Sequence, residues 1–348
     1  MNFWKGKKVL VTGHTGFKGT WLTILLNQLG ADLVGISLPD YAEYPFYNTI
    51  RPNVKIREFF CDLRHTVPSE LDTDFDIIFH MAAQAIVSEG HRDPYLTYST
   101  NILSMVNMLQ YFAAQQTPNG VFVNVTSDKC YLNVESNIPY TEEQKLGGLD
   151  HYSASKACCE LINSCYQHQF RGNASTSLIS VRAGNVIGGG DWSKDRLIPD
   201  IMNHFFNGTK ISFRDTSAVR PWQHVLEPLH AYLRIAEDAF NRPGSVFESY
   251  NVGPLSDNFR NVSTIIDACE EFHGSRVSAE KKGTSFYETN ILKLDVSKLI
   301  ATGIWKPKWD FINTIRKTYR WYENYASGSS AFELCIADIK SYGEENEL

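Results

Sequence analysis

A phenol and an ammonium stand four residues apart in Tyr152-Ser153-Ala154-Ser155-Lys156, a spacing that puts both on one face of a helix. A tyrosine hydroxyl has an ordinary pKa near 10, so it acts as a base at neutral pH only where positive charge favours the phenolate, as Lys156 would. Upstream, Thr126-Ser127-Asp128-Lys129 closes an apolar run that reads as a strand. There Ser127 offers a hydroxyl, Asp128 an acid and Lys129 an amine. As a base Lys129 must be neutral, which requires a pKa lowered by desolvation or neighbouring cations. Held protonated, it would instead stabilise a developing enolate, and both roles stay open.

These groups need a scaffold that brings strand ends and helix starts together. Lys7 to Thr12 reads as a buried strand and Phe17 to Leu29 as a helix with Trp21, Leu22, Leu25, Leu26 and Leu29 at core spacing. Between them lies Gly13-His14-Thr15-Gly16-Phe17-Lys18-Gly19, with glycine at every third position. Such a loop lets the backbone approach a pyrophosphate at the positive end of the helix, and its place between strand and helix makes it a dinucleotide signal. Asp40 follows at about the distance of a carboxylate for a ribose hydroxyl, although Pro39 before it leaves its direction open.

Further strands are predicted at Asp32 to Leu38, Val54 to Cys61, Asp76 to Met81, Gly120 to Ser127 and Ser177 to Ala183, with helices over Tyr98 to Gln115 and Tyr152 to Gln169. Strands alternating with helices imply an α/β fold with a Rossmann-type, doubly wound parallel sheet. We expect an NAD-binding domain over 1–180 and a smaller mixed substrate lobe over 181–330, with parts of the chain crossing between them. The lobe includes a helix near Leu197 to Phe206 and ends on a helix at Arg316 to Tyr325; a polar break at Ser327 to Ser330 precedes a frayed tail, 331–348.

Composition narrows the classes. The 348 residues are 43% hydrophobic and 21% charged, and a formal charge of −6 carries no basic stripe for nucleic acid. No apolar run reaches the roughly 18–20 residues of a membrane span, and no secretory signal is evident, so a cytoplasmic protein is expected. The 7 cysteines lack paired spacing, as do the histidines, and neither disulfides nor a metal is expected.

The glycine loop, Asp62-Leu63 after the third strand, Ala82-Ala83-Gln84 after the fourth and the Tyr152/Lys156 pair together resemble the extended short-chain dehydrogenase/reductase family. The acid and base after Ser127 are similar to its nucleotide-sugar 4,6-dehydratase branch, where the pair is usually Asp-Glu; Lys129 departs from that pattern. Segments including Arg182-Ala183-Gly184-Asn185, Asp195-Arg196-Leu197-Ile198-Pro199-Asp200 and Arg220-Pro221-Trp222-Gln223-His224 resemble those of CDP-glucose 4,6-dehydratases, over nearly the whole chain up to Tyr325. Ala85 to His91, expected to border the sugar, departs from that pattern.

The resemblance implies catalysis by Ser127, Asp128, Lys129, Tyr152 and Lys156. It implies a cofactor held by Gly13, His14, Gly16, Phe17, Lys18, Gly19, Asp62, Leu63, Ala82, Ala83 and Gln84, with Tyr152 and Lys156. Asn185, Arg196 and Arg220 would contact the nucleotide-sugar, CDP-glucose, since arginines suit a pyrophosphate. Gln223 and His224 would bind the nucleotide or brace their loop; Trp192 and Trp222 would stack on a base or fill the core. NAD is expected because a hydride borrowed and returned within one turnover needs no net redox partner. The family also implies a homodimer, packed through the helix of Tyr152, and a place in deoxysugar biosynthesis such as that of lipopolysaccharide O-antigen. The alternatives are a dehydratase or epimerase for another nucleotide-hexose, or a non-catalytic cofactor-sensing protein.

Overall fold

The computed structural model describes residues 2–41, 44–71, 74–115, 117–171, 176–242, 246–281 and 289–344. Its strands are β1 (Lys8–Thr12), β2 (Asp32–Ser37), β3 (Arg57–Phe60), β4 (Ile77–His80), β5 (Gly120–Val125), β6 (Thr176–Ala183), β7 (Asn185–Ile187), β8 (Ile211–Phe213), β9 (Val219–His224), β10 (Phe247–Val252), β11 (Phe259–Asn261) and β12 (Ala279–Lys281). The large sheet runs β10-β6-β5-β4-β1-β2-β3, all parallel. Strands β4, β5 and β6 are buried along their whole length, as a sheet covered on both faces requires.

Register places the site. Thr12 pairs with both Ile36 and His80, His80 with Asn124, and Val125 with Val181, so five adjacent strands reach the same level. Strand order reverses between β1 and β4, and the crevice beyond the strand ends at such a switch point is where an α/β sheet binds its ligand.

The smaller lobe holds a three-stranded sheet, β11-β9-β7, and a parallel pair, β12-β8. The chain does not stay there: the helix Leu226–Asn241 packs back under β5 and β6, and β10 joins the edge of the large sheet. The segment expected as a frayed tail is instead a helix over Ala331–Glu344. Its Ala331, Cys335 and Tyr342 are buried against the rest of the fold, which secures what the polar break before it suggested was loose. Residues 345–348 of that tail, like Pro243 in the lobe, lie outside the described residues.

The helix expected over 98–115 is broken. Pro94–Tyr98 passes into a π-helical turn at Ser99–Leu103 before Ser104–Ala114 continues. The wide turn presents the buried Asn101 to the site crevice, a placement that apolar periodicity does not foretell.

Candidate active site

The glycine loop follows β1 and is tight because nothing but glycine fits. Gly13 has φ 74°, and a Cβ there would stand 2.9 Å from the backbone nitrogen of Ala82; a Cβ at Gly19 would stand 2.0 Å from the carbonyl oxygen of Gly13. The helix Phe17–Gln28 starts at Gly16 with no side-chain cap, so its first-turn amides remain available to an anion. Thr12 Oγ1 accepts from the amides of Met81 and Ala82, 3.1 Å each, which draws the chain after β4 against the loop. This cradle fits a dinucleotide pyrophosphate.

Some residues expected to touch the cofactor are committed elsewhere. His14 is fully buried, with Nδ1 3.0 Å from Ser37 Oγ and Nε2 3.1 Å from Glu58 Oε1; it is a brace between the loop, β2 and β3. The Gln84 side chain donates to Thr97 Oγ1 (2.7 Å) and to Ile86 O (3.0 Å), closing its own loop. Asp62 lies just past β3 in an ion pair with Arg64 (2.6 Å) that holds its carboxyl below the usual range, and Leu63 is buried beside it. Ala82 and Ala83 are half-buried, and Asp40 is exposed in the turn Pro39–Tyr41.

Lys18, one residue into the helix, is half-buried and faces the reacting groups. Desolvation, then the positive charges of Lys156 and Arg196, push its pKa down to about 7. Phe17 is buried against Gly188, at the entrance to the second lobe.

Beyond β5, Ser127 accepts from the Lys129 amide (3.2 Å) and so starts a short 3₁₀ turn, Asp128–Cys130, that turns the acid inward. Its hydroxyl donates to Asp128 Oδ1 at 3.0 Å. Asp128 is 2% exposed, and Oδ2 has no hydrogen-bond partner among the described residues. Burial pushes this carboxyl up, against the opposing pull of Lys129, the Ser127 hydrogen bond and Arg220. A carboxyl so placed keeps its proton to higher pH than an exposed one, as a general acid must.

The facing helix, His151–Phe170, begins at Asp150, whose side chain accepts from the Ser153 amide at 2.8 Å. Tyr152 and Lys156 are both buried on its inner face. Lys156 Nζ donates to Val125 O (3.2 Å), reaching across to the strand that carries Ser127. Desolvation lowers the pKa of Lys156 and pushes that of Tyr152 up to about 12, with the Ser127 hydrogen bond pulling the phenol the other way. The set expected from the sequence therefore converges in one crevice, but burial and the carboxyl of Asp128 outweigh the pull of Ser127 and Arg196, so Tyr152 needs further positive charge before it ionises near neutrality.

Asn101 is the addition that sequence reading missed. Its amide donates to Ser155 Oγ (2.7 Å) and Gln84 O (3.1 Å) and its carbonyl accepts from Gln84 N (2.8 Å), fixing the Tyr152 helix to the end of β4. The one available signal was the polar run Ser99-Thr100-Asn101 near the start of the predicted helix.

In the second lobe Arg196 pairs with Asp191 at 3.1 Å and is close enough to Tyr152 to influence its ionisation. Asn185 is half-buried at the start of β7. Arg220 is buried and donates to the carbonyls of Val219 (2.9 Å), Asn290 (3.2 Å) and Thr289. Gln223 donates to Val252 O (3.0 Å). His224 is fully buried with its ring 4.8 Å from that of Trp309, so both side chains brace their loop. Trp222 donates to Arg260 O (2.9 Å), and Trp192 packs edge-on to Tyr322 (5.2 Å): both fill the lobe core.

The sequence model of the NAD dependent epimerase/dehydratase family matches residues 9–253. The chain is 38% identical over 351 aligned positions to the CDP-glucose 4,6-dehydratase of Salmonella typhimurium, covering 98% of this chain and 97% of that protein. Among solved structures it resembles UDP-glucuronic acid 4-epimerase of Bacillus cereus in complex with UDP-glucuronic acid and NAD (TM-score 0.79, 18% identity, 91% and 99% coverage). It also resembles dTDP-glucose 4,6-dehydratase of Bacillus anthracis in complex with NAD (TM-score 0.75, 20% identity, 94% and 100% coverage).

Proposed function

Because the chain belongs to the NAD dependent epimerase/dehydratase family, and is thus an NAD-dependent enzyme, we propose that it converts CDP-glucose to CDP-4-keto-6-deoxyglucose by elimination of water. The observation that carries this reading is Asp128: a buried carboxyl with a raised pKa and an unpartnered oxygen, one residue from the hydroxyl that faces Tyr152. An epimerase loses no water and has no use for such an acid. The choice of nucleotide is supported by the 38% identity to a CDP-glucose 4,6-dehydratase over 98% of the chain.

Bound NAD would take a hydride from C4 of the hexose and return one to C6. Ser127 orients the 4-hydroxyl and Tyr152 accepts its proton, with the Lys156 ammonium stabilising the phenolate. The 4-ketone acidifies C5–H. Lys129, acting as a neutral amine, takes that proton and Asp128 gives its proton to the departing 6-hydroxyl; after hydride return to C6, the ammonium of Lys129, exchangeable with solvent, reprotonates C5. Lys18, Arg196 and the more deeply buried Arg220 supply positive charge around a substrate that carries a diphosphate. A homodimer through the Tyr152 helix is supported by exposed apolar side chains there and beside it, Leu161, Tyr95 and Leu103.

The test is incubation with CDP-glucose, dTDP-glucose, UDP-glucose and GDP-mannose separately in deuterated water, each followed by mass spectrometry. Loss of water with one solvent deuterium gained, from CDP-glucose alone, is expected. Water loss from another sugar only would overturn the substrate, and isomerisation without water loss would overturn the reaction.

A further inference from the structure

Beneath the reacting groups lies a buried ion pair that the chemistry above does not use. Glu160 is 2% exposed and sits one turn beyond Lys156 on the same helix. Its Oε1 accepts from the hydroxyls of both Thr126 and Ser180, and its Oε2 accepts from Arg182 Nη2 at 2.7 Å. Thr126 is the residue before Ser127. Arg182, on β6, also donates to Tyr131 Oη (2.9 Å), and that hydroxyl donates to Asn251 Oδ1 (2.6 Å) on β10. A single carboxylate thus touches the strand end leading to the Ser127-Asp128-Lys129 turn, the helix carrying Tyr152 and Lys156, and the ion pair that ties β6 to both.

We propose that Glu160 is a positioning residue: its buried charge holds Lys156 as an ammonium and, through Thr126, fixes the Ser127-Asp128-Lys129 turn against the Tyr152 helix. Lys156 is desolvated, which by itself favours the neutral amine; the nearby negative charge of Glu160 opposes this. The other titratable groups facing Lys156 are Cys159 on its own helix, Cys130 on the 3₁₀ turn, His80 at the end of β4 and Lys18 on the helix after the glycine loop. Burial keeps the two thiols protonated and His80 neutral near pH 7, which leaves Glu160, paired with Arg182 at 2.7 Å, as the acidic group that faces Lys156. Arg182 partly offsets it, which gives the pair an adjustable field: removing the anion and removing the cation act on Lys156 in opposite senses.

The part of this inference that concerns catalysis rests on the dehydratase reading; the part that concerns Lys156 does not. The experiment therefore reads Lys156 directly, by Nζ ¹⁵N-lysine NMR titration of the full chain, its resonance assigned with Lys156→Met. Glu160→Gln is expected to lower the Lys156 pKa by on the order of one unit, and Arg182→Met to raise it. Thr126→Val keeps both charges and is expected to leave the pKa in place, while slowing turnover of whichever nucleotide-hexose the wild type accepts by on the order of ten-fold. Shifts of the same sign in the two charge variants, or none in Glu160→Gln, would overturn the assignment, whether or not CDP-glucose proves to be the substrate. If Arg182→Met does not fold, the absence of a downward shift in Glu160→Gln still overturns it.

Discussion

In the proposed reaction Asp128 and Tyr152 divide the proton transfers between them, and their environments fit that division. Both are desolvated, which favours the neutral form of each: an acid ready to give its proton, and a phenol that ionises only when positive charge gathers beside it. Asp128→Asn keeps the shape and removes the proton, so C4 oxidation is expected to persist while water loss slows by on the order of 10²–10⁴-fold, seen as NADH accumulating at 340 nm in single turnover. Tyr152→Phe is expected to abolish that absorbance change. Asp128→Asn with wild-type turnover would remove the acid from the mechanism. At this scale the sequence was informative, because Ser127, Asp128, Lys129, Tyr152 and Lys156 advertise themselves by type and spacing. Less legible was what each polar group does once folded. His14 and Gln84 stand in loops that suggest ligand contact, yet hydrogen bonds to Ser37, Glu58 and Thr97 turn them inward. Glu160 gave no signal, since a carboxylate on a helix is ordinarily solvated and only the fold brings Thr126, Ser180 and Arg182 around it.

Elements position these residues through contacts with little slack. The helix Phe17–Gln28 lies so close to β1 that Gly19→Ala would press its methyl into Gly13 O; loss of NAD binding and a lower melting temperature are expected together, by isothermal calorimetry and thermal melts. Periodicity revealed this helix and the central strands because buried apolar runs need only local pattern. It missed the π-turn at Ser99–Leu103, where the break is stabilised by Asn101 bonding to two other elements, and the helix Ala331–Glu344, whose apolar positions have meaning only against their partners. That last helix docks through Tyr342, which donates to Glu227 Oε2 (2.7 Å); Glu227 also accepts from the amides of Lys308 and Trp309. Burial pushes the Glu227 carboxyl up to about 7. The unfolded chain loses this proton near pH 4.5 and the folded one near 7, so the group's contribution to stability falls as pH rises through that window, by on the order of 3 kcal/mol. Urea unfolding of wild type and Glu227→Gln at pH 5 and pH 7.5 is expected to show a difference between the two proteins that changes by about that amount.

Across the whole molecule, polar groups are buried in numbers that make the fold sensitive to acid. His80, His224 and His230 are buried and neutral, each with its pKa lowered to about 3, principally by desolvation. Below about pH 6.5 the unfolded chain binds protons that the folded one refuses, so stability is lost as pH falls from there toward 3. This loss opposes the contributions of Glu227, Asp338, Asp128 and Glu142, whose carboxyls burial pushes up, so the histidine share is read by comparing variants. His80→Asn is expected to raise the melting temperature at pH 5 relative to that at pH 6.5, compared with wild type. Composition marked an ordinary globular chain, and the alternation of strands and helices marked it as α/β. What it could not supply was the long-range order of the sheet, in which β10 returns from the second lobe to lie beside β6, since strand order depends on contacts far apart in sequence. No helix among the described residues is long and apolar enough to cross a membrane.

The central claim is that the hydrogen removed from C4 comes back to C6 within the same active site. CDP-glucose carrying deuterium at C4, turned over in ordinary water and followed by ¹H NMR and mass spectrometry, tests it most directly. A 4-keto product that retains the deuterium, located in the C6 methyl group, is the expected result. Release of the label to solvent or to free cofactor, or its return to C4 without loss of water, would contradict it.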